Sequence, residues 1–296
     1  MKSPLEGVKV VDVSRYLAGP YCTMMLGDMG AEVIKIERPG SGDESRQFAP
    51  FWKGESCFFL SVNRNKKSLT LDIKKEAGRE IFLELVRGAD VLVENFRPGV
   101  TRKLGIDYET LSRENPRLIY CSMTGYGRVG PAKDRPAFDL LVQADAGLMS
   151  ITGIPDGPPV KTGTSVLDLA CGTNAVAGIL AALLMRERTG RGQLIETSLF
   201  EAQIAWLNYH AVGYFATGRV PGRLGSAHPS VAPYQAFRTR DDYLVVAIGH
   251  DRAWATFCSA IQRTDLVEDP RFRTNPLRVQ NREALVEELE STLKTR

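Results

Sequence analysis

Short apolar runs bounded by Gly, Pro, Asn or Asp alternate along the first half of the chain with longer stretches of helical spacing. Val8 to Val13 reads as a strand. Arg15 to Pro20 is a turn, and Pro20 pre-sets the backbone for a helix that runs to Met29 and closes at Gly30. Glu32 to Glu37 alternates as a second strand; Arg38-Pro39-Gly40-Ser41-Gly42-Asp43 breaks it, and a long polar loop with Phe48, Phe51 and Trp52 leads to Leu60 and Val62. Ser68 to Asp72 predicts a strand, Lys75 to Gly88 an amphipathic helix, Ala89 to Glu94 a strand and Asn95 to Gly99 a turn. Tyr108 to Asn115 then predicts a short helix and Arg117 to Ser122 another strand. This alternation implies an α/β fold with a mainly parallel sheet, in which ligands collect at the carboxyl ends of the strands.

From Pro159 to Gln203 the pattern changes. Asp168 stands at the head of a helix rich in small residues (Ala170, Gly172, Ala175, Ala177, Gly178, Ala181, Ala182), which lets another backbone approach closely. The helix should run to Arg188 and stop at Thr189-Gly190, where glycine supplies the left-handed closing residue. Strand Gln193 to Thr197 follows. Taken alone, Asp168 reads as a cap accepting orphan N–H groups; it is also a candidate nucleophile. Further on, Glu201 to Phe215 predicts an apolar helix, Tyr243 to Ile248 a strand and Arg282 to Lys294 an amphipathic helix. Met24, Met25 and Met29, like Trp254, Phe257 and Ile261, form helical core stripes.

At 296 residues the chain exceeds the usual single domain, so two lobes are expected. The net charge of +3 is small for this length and no basic block is interleaved with aromatics, which argues against nucleic acid and leaves anionic small molecules as partners. Five scattered cysteines without CxxC spacing argue against a disulfide framework and a metal site, and fit a reducing cytoplasm. The N-terminus carries neither a secretory apolar run nor an Arg-rich presequence, and no segment approaches about eighteen uninterrupted apolar residues, so neither export nor a membrane is expected. Arg15, Arg38, and Asn95 with Arg97 fall at strand ends, joined by Lys66, Lys67, Arg102 and Lys103. Guanidinium groups pair with phosphate and amides can read a heterocycle edge, so the set suits an elongated phosphorylated cofactor; each arginine by itself also reads as a solvated charge. The turn after the first strand is not GxGxxG, which speaks against an NAD-dependent oxidoreductase, and no Walker-type phosphate loop is present.

GVKVVDVSRYLAGPYCTMMLGDMGAEVIKIERPGSGD, NRNKKSLTLD, ADVLVENFRPGV, IYCSMTGYGRVGP, RPAFDLLVQADAGLMSITG, SVLDLACG and TGRGQLIETSLFEA resemble, in order and spacing over nearly the whole chain, the class III CoA-transferase family. GSAHPSVAPYQAFRTRDDYLVVAIG is most similar to its dicarboxylate-using branch. The resemblance implies that Asp168 is the nucleophile. It implies that CoA contacts Arg15, Tyr16, Leu17 and Ala18 in the first turn, Arg38 in the ERPGSGD motif, Leu71 on the adenine side, Asn95 and Phe96 near the adenine end, and Lys103 at phosphate. A Rossmann-like large lobe (1–211) and a smaller α+β lobe (212–296) follow from it, in ring-shaped chains that interlock as a homodimer. The implied substrates are an acyl-CoA such as succinyl-CoA and a carboxylic or dicarboxylic acid. Coenzyme A enters as a thioester substrate, with no tightly bound cofactor and no metal.

In this chemistry a helix N-terminus should keep Asp168 ionised at neutral pH, and Gly125, Gly127 or the Ile248-Gly249-His250 turn could supply N–H donors to an oxyanion. α-Methylacyl-CoA racemases belong to the same family, and their pattern places a histidine before the aspartate that Asp139 matches; Phe138 stands there and cannot relay a proton. Asp139 reads either as a carboxylate supporting the site or as a cap for a helix through Met149. His228 is a candidate for the distal carboxylate of a dicarboxylic acid, with loop structure as the alternative, and Gly249 and His250 match the family's mobile active-site loop. The sequence to Arg296 does not include the family's segment returning to the large lobe. A fragment, a separate chain supplying that segment, and a truncated CoA-binding protein without turnover are all open on the sequence.

Overall fold

Strand β1 (Lys9–Asp12) is a buried apolar run, and the chain after it folds as α1 (Ala18–Asp28) and β2 (Glu32–Glu37). This is the computed structural model of the protein, and it describes residues 2–295. Helix α1 begins two positions before Pro20, which costs nothing because the first helical N–H groups have no intrahelical partner. A 3₁₀ turn (Glu44–Gln47), the hairpin β3 (Phe51–Trp52) and β4 (Glu55–Ser56), and α2 (Cys57–Asn63) occupy the stretch that the sequence reads as a loop. Then come β5 (Lys66–Thr70), α3 (Glu76–Arg87), β6 (Val91–Glu94), α4 (Val100–Leu104), α5 (Tyr108–Glu114) and β7 (Ile119–Thr124). The helix expected to pass through Met149 is broken: α6 (Asp139–Asp145) ends before Gly147, whose φ of 90° only glycine adopts freely, and α7 (Leu148–Ile151) follows. After α8 (Val166–Thr189), β8 (Leu194–Ser198) leads into α9 (Leu199–Thr217), which is kinked at Asn208 where the sequence predicts a uniform helix.

The six long strands form one parallel sheet in the order β5-β2-β1-β6-β7-β8. The chain builds outward from β1 through β2 to β5, then returns to place β6 on the other side of β1. That reversal opens a crevice at the carboxyl ends of β1 and β6. Strand β5 lies two residues earlier than expected, since Lys66 to Thr70 are the residues that register with Val33 to Glu37 of β2.

Helix α8 is long and apolar enough by length and composition to cross a membrane, yet Leu167, Cys171, Ala175, Val176 and Ile179 share a core with Val10, Val91 and Ile119 of the sheet. Its 24 residues span ~36 Å and end at Gly190 in the left-handed conformation, as the sequence predicts. There Arg186 pairs at 2.8 Å with Asp90, at the amino edge of the sheet. The first turn of α8, carrying Asp168, therefore lies at the carboxyl edge. At Gly172 a Cβ would come within 2.7 Å of the Ala18 carbonyl oxygen; the missing side chain is what lets α8 lie against the start of α1.

The residues up to Leu148 with Thr162–Thr217 make one compact unit, and Met149–Lys161 with the residues from Gly218 onward make a second. The sequence puts one boundary at Val212; the chain crosses after Thr217 and also gives up an earlier excursion. That excursion is tied within the second unit by Gly225 N–H donating to the Gly153 carbonyl (2.8 Å) and Arg223 donating to the Gly157 carbonyl (2.7 Å). The rest of the second unit is the antiparallel hairpin β9 (Tyr234–Arg238) and β10 (Tyr243–Ala247), with α10 (Asp251–Ala260), α11 (Asp265–Glu268), α12 (Asn275–Gln280) and α13 (Arg282–Leu293). Trp254, Phe237, Phe272, Leu285 and Leu289 fill its core.

Candidate active site

A cavity of about 490 Å3 opens at the carboxyl ends of β5, β2, β1 and β6. Leu71, Ile73, Phe96, Val100 and Leu104 give it apolar walls, and Arg15, Arg38, Lys74 and Arg97 bring cationic side chains to it. An apolar slot with cations suits a flat heterocycle bearing phosphates. Of the nine residues that the sequence assigns to CoA, Arg15, Arg38, Leu71 and Phe96 line this space; Tyr16, Leu17, Ala18, Asn95 and Lys103 do not.

The Asn95 amide is engaged with the backbone of the first turn. Its Oδ1 accepts the Arg15 N–H at 2.9 Å and its Nδ2 donates to the Arg15 carbonyl at 2.7 Å, so the amide fixes the turn after β1 against the end of β6. Arg15 in turn lies over the Phe96 ring, 5.3 Å from its centre. Tyr16 sits in a left-handed conformation (φ 66°) with its N–H on Asp43 and its ring 6.2 Å from that of Phe48. Leu17 caps α1 without a side-chain bond, Ala18 is buried against α8, and Lys103 is exposed on α4.

Lys35, Ser14 and Asp43 of the cavity lining belong to a buried charge network that sequence reasoning did not find. Lys35 Nζ contacts Asp43 at 2.9 Å, the Ser14 carbonyl at 2.8 Å and Asp12 at 4.0 Å. Burial opposes ionisation of Asp12, but Lys35, Lys66, Ser14 and Thr23 together hold its carboxyl far below the ordinary range. Lys66 is buried in the same network and does not line the cavity: it donates to Asp12, Asn63 and the Pro20 carbonyl, and burial lowers it to about 8 against the pull of Asp12. Lys67 is paired with Glu32 at 2.6 Å on the surface. A lysine inside an apolar strand was the available sign for Lys35, since such a residue needs a buried acid.

Asp168 lies in the first turn of α8, and Ser165, not Asp168, is the cap residue. Burial, reinforced by the Asp139 carboxylate, raises Asp168 to about 7. The expectation that the helix terminus keeps it ionised at neutral pH is met only in part: desolvation and a like charge outweigh the dipole and leave the carboxyl partly protonated there. Asp139 is buried; its Oδ1 accepts the Leu167 N–H at 2.8 Å and its Oδ2 accepts from Gln143. It caps α8 from another helix instead of capping its own. Gln143, also missed by the sequence reading, bridges Asp139 to Thr162, accepting the Thr162 N–H at 3.0 Å. Phe138 is exposed at the start of α6. The Gly127 N–H donates to Thr124 Oγ1 at 2.9 Å, and the Gly125 carbonyl, not its N–H, is engaged, accepting from Phe200 at 2.9 Å.

His228, Gly249 and His250 belong to the second unit. The His228 ring accepts the Ser230 N–H at 3.1 Å, inside its own loop, and lies against Tyr234. His250 caps α10 by accepting the Ala253 N–H at 3.1 Å, and Gly249 is exposed before it.

The parallel α/β unit has a cavity with cationic side chains at its strand reversal and, at the head of a small-residue helix, a half-buried Asp168 beside a buried Asp139. The chain belongs to CoA-transferase family III, whose sequence profile matches residues 5–296. It is 48% identical over 284 residues to the succinyl-CoA:glutarate CoA-transferase of Mus musculus, an alignment covering 96% of this chain and 65% of that protein. To the acetyl-CoA:oxalate CoA-transferase of Acetobacter aceti it is 45% identical over 293 residues, covering 99% of this chain and 75% of the relative. A CAIB/BAIF family protein from Brucella suis has the same fold, with a TM-score of 0.87 at 42% identity over 99% of this chain and 79% of that one. The chain thus spans a little under two thirds of the mouse relative's length.

Proposed function

We propose that the protein transfers CoA from a donor such as succinyl-CoA to a dicarboxylic acid of the glutarate kind, with Asp168 as the nucleophile. The placement of Asp168 carries the reading: a desolvated carboxylate in the first turn of α8, at the same sheet edge as the cationic cavity. The names of the mouse and Acetobacter relatives, both acting on dicarboxylates, support the substrate class.

An Asp168 carboxylate oxygen attacks the thioester carbonyl; the C–S bond breaks, CoA leaves as thiolate, and a mixed anhydride remains on Asp168. The thiolate attacks the aspartyl carbonyl, the anhydride C–O bond breaks, and the donor acid departs as carboxylate, leaving an aspartyl-CoA thioester. The acceptor carboxylate then expels the thiolate to form a second anhydride. Attack of the thiolate on the acceptor's acyl carbon gives the new acyl-CoA and frees Asp168. No proton is gained or lost overall. Desolvation makes the carboxylate a better nucleophile than it is in water, and holding the partners in line can supply ~7 to 11 kcal/mol of the barrier. Arg15, Arg38 and the walls of Leu71 and Phe96 would hold the nucleotide end of CoA. We place the reaction in a homodimer, a reading supported by exposed apolar side chains along α9 such as Trp206, Val212 and Phe215.

The test is incubation with succinyl-CoA and glutarate followed by mass spectrometry. Glutaryl-CoA should form, hydroxylamine should trap the activated Asp168, and Asp168→Ala should lose both products. Undiminished transfer by Asp168→Ala would remove Asp168 from the mechanism.

A further inference from the structure

Arg15 and Arg38 come from the ends of different strands, yet both close on one carboxylate. Arg15 Nη1 donates to Glu44 Oε1 at 2.7 Å, and Arg38 Nη2 donates to the same oxygen. Glu44 opens the 3₁₀ turn that Asp43 caps by accepting the Ser45 N–H at 2.9 Å, so the backbone beneath it is fixed. The neighbouring acids are committed elsewhere: Asp43 to Lys35 at 2.9 Å and Glu37 to Arg46 at 2.7 Å. Among the described residues, Glu44 Oε2 and Arg15 Nε are buried with no hydrogen-bond partner. Two guanidinium forks thus share a single oxygen and leave part of their donor capacity unused, which is a poor arrangement for groups built to grip an anion bidentately. The three side chains remain 27–53% exposed, within reach of a solute.

We propose that Glu44 is a built-in competitor for a phosphate group of coenzyme A. Its carboxylate holds Arg15 and Arg38 over the cavity while the site is empty, and it must swing aside before they take phosphate. A phosphate arriving at either guanidinium meets a like charge, so the site binds CoA more weakly than its arginines alone would. This rests on the CoA-transferase reading and extends it. An enzyme that passes CoA between acids gains no rate from gripping substrate, intermediate and product equally, and loses rate if product release becomes slow. Glu44 shortens the residence of the nucleotide end while keeping the cations in place.

The experiment is calorimetric titration of the chain with free CoA, using wild type, Glu44→Gln, Glu44→Ala, Arg38→Gln and the Glu44→Gln/Arg38→Gln double variant, each checked for native circular dichroism. Both Glu44 variants should bind CoA roughly two- to fivefold more tightly than wild type. The gain of Glu44→Gln should shrink or vanish in the Arg38→Gln background, which a general loosening of the loop would not produce. If wild type binds CoA but the Glu44 variants bind equally or less well, Glu44 positions the arginines and the competitor idea fails while the CoA site stands. If folded wild type and Glu44 variants alike do not bind CoA, the CoA reading itself falls and Glu44 falls with it.

Discussion

At the scale of the residue, the charge state of Asp168 governs what the site can do. Its carboxyl titrates near 7 because burial and Asp139 both disfavour the anion, so the ionised form that the proposed transfer requires is lost as pH falls through neutrality. The rate of glutaryl-CoA formation at low substrate should therefore drop about tenfold per pH unit below 7 and level off above it. Asp139→Asn removes the like charge but keeps an acceptor for the Leu167 N–H, and should move the inflection to lower pH without abolishing it, since burial remains. Stability follows with a definite sign. Between the ordinary carboxyl pKa and about 7 the folded state keeps a proton that the unfolded chain has released, so stability declines as pH rises across that window, by about 4 kcal/mol in all. In Asp168→Asn the decline should be smaller, seen as a reduced difference in melting temperature between mildly acid and mildly alkaline buffer. The sequence located this aspartate but could not give its charge, because the burial that dominates the shift and the Asp139 carboxylate that adds to it are both set by the fold. Asn95 shows the same limit: its strand-end position was legible, but that its amide is occupied by the Arg15 backbone depends on the β1–β6 neighbourhood.

At the scale of the element, the stretches whose ends are set by local chemistry were readable. The limits of β2 and the Gly190 stop of α8 follow from alternation and a left-handed glycine, which need no distant partner. Strand β5 was misplaced by two residues because its register belongs to β2, and the helix after Asp139 was read through because the break at Gly147 is a matter of backbone conformation. The small residues of α8 announced a close approach, and Gly172 is where it happens. Gly172→Ala would push a Cβ to within 2.7 Å of the Ala18 carbonyl oxygen, a backbone atom that cannot rotate away. We expect a loss of about 1–3 kcal/mol in denaturant unfolding and a fall in transfer rate, because the same contact sets the head of α8 beside the turn after β1.

At the scale of the whole molecule, two units with separate hydrophobic cores share one chain that crosses between them more than once. Trp254 is sealed in the core of the second unit, while Trp52 and Trp206 are exposed, so tryptophan fluorescence reports mainly on that unit. Leu289→Ala, at a fully buried position of α13, should cost that unit about 2–5 kcal/mol and lower the fluorescence midpoint, while the circular dichroism transition of the larger unit moves less. Equal shifts in both probes would show that the units melt as one. The amino-acid sequence by itself determined the α/β class, the order of the six sheet strands with the main helices between them and the identity of the carboxylate heading α8, because these rest on periodicity and on residues whose preferences are local. Only the tertiary structure decided the buried Lys35–Asp12–Lys66 network, the capping of α8 by Asp139, the near-neutral titration of Asp168 and the shared grip of Arg15 and Arg38 on Glu44. Each of these is an electrostatic fact created when charges distant in the chain are brought together out of water.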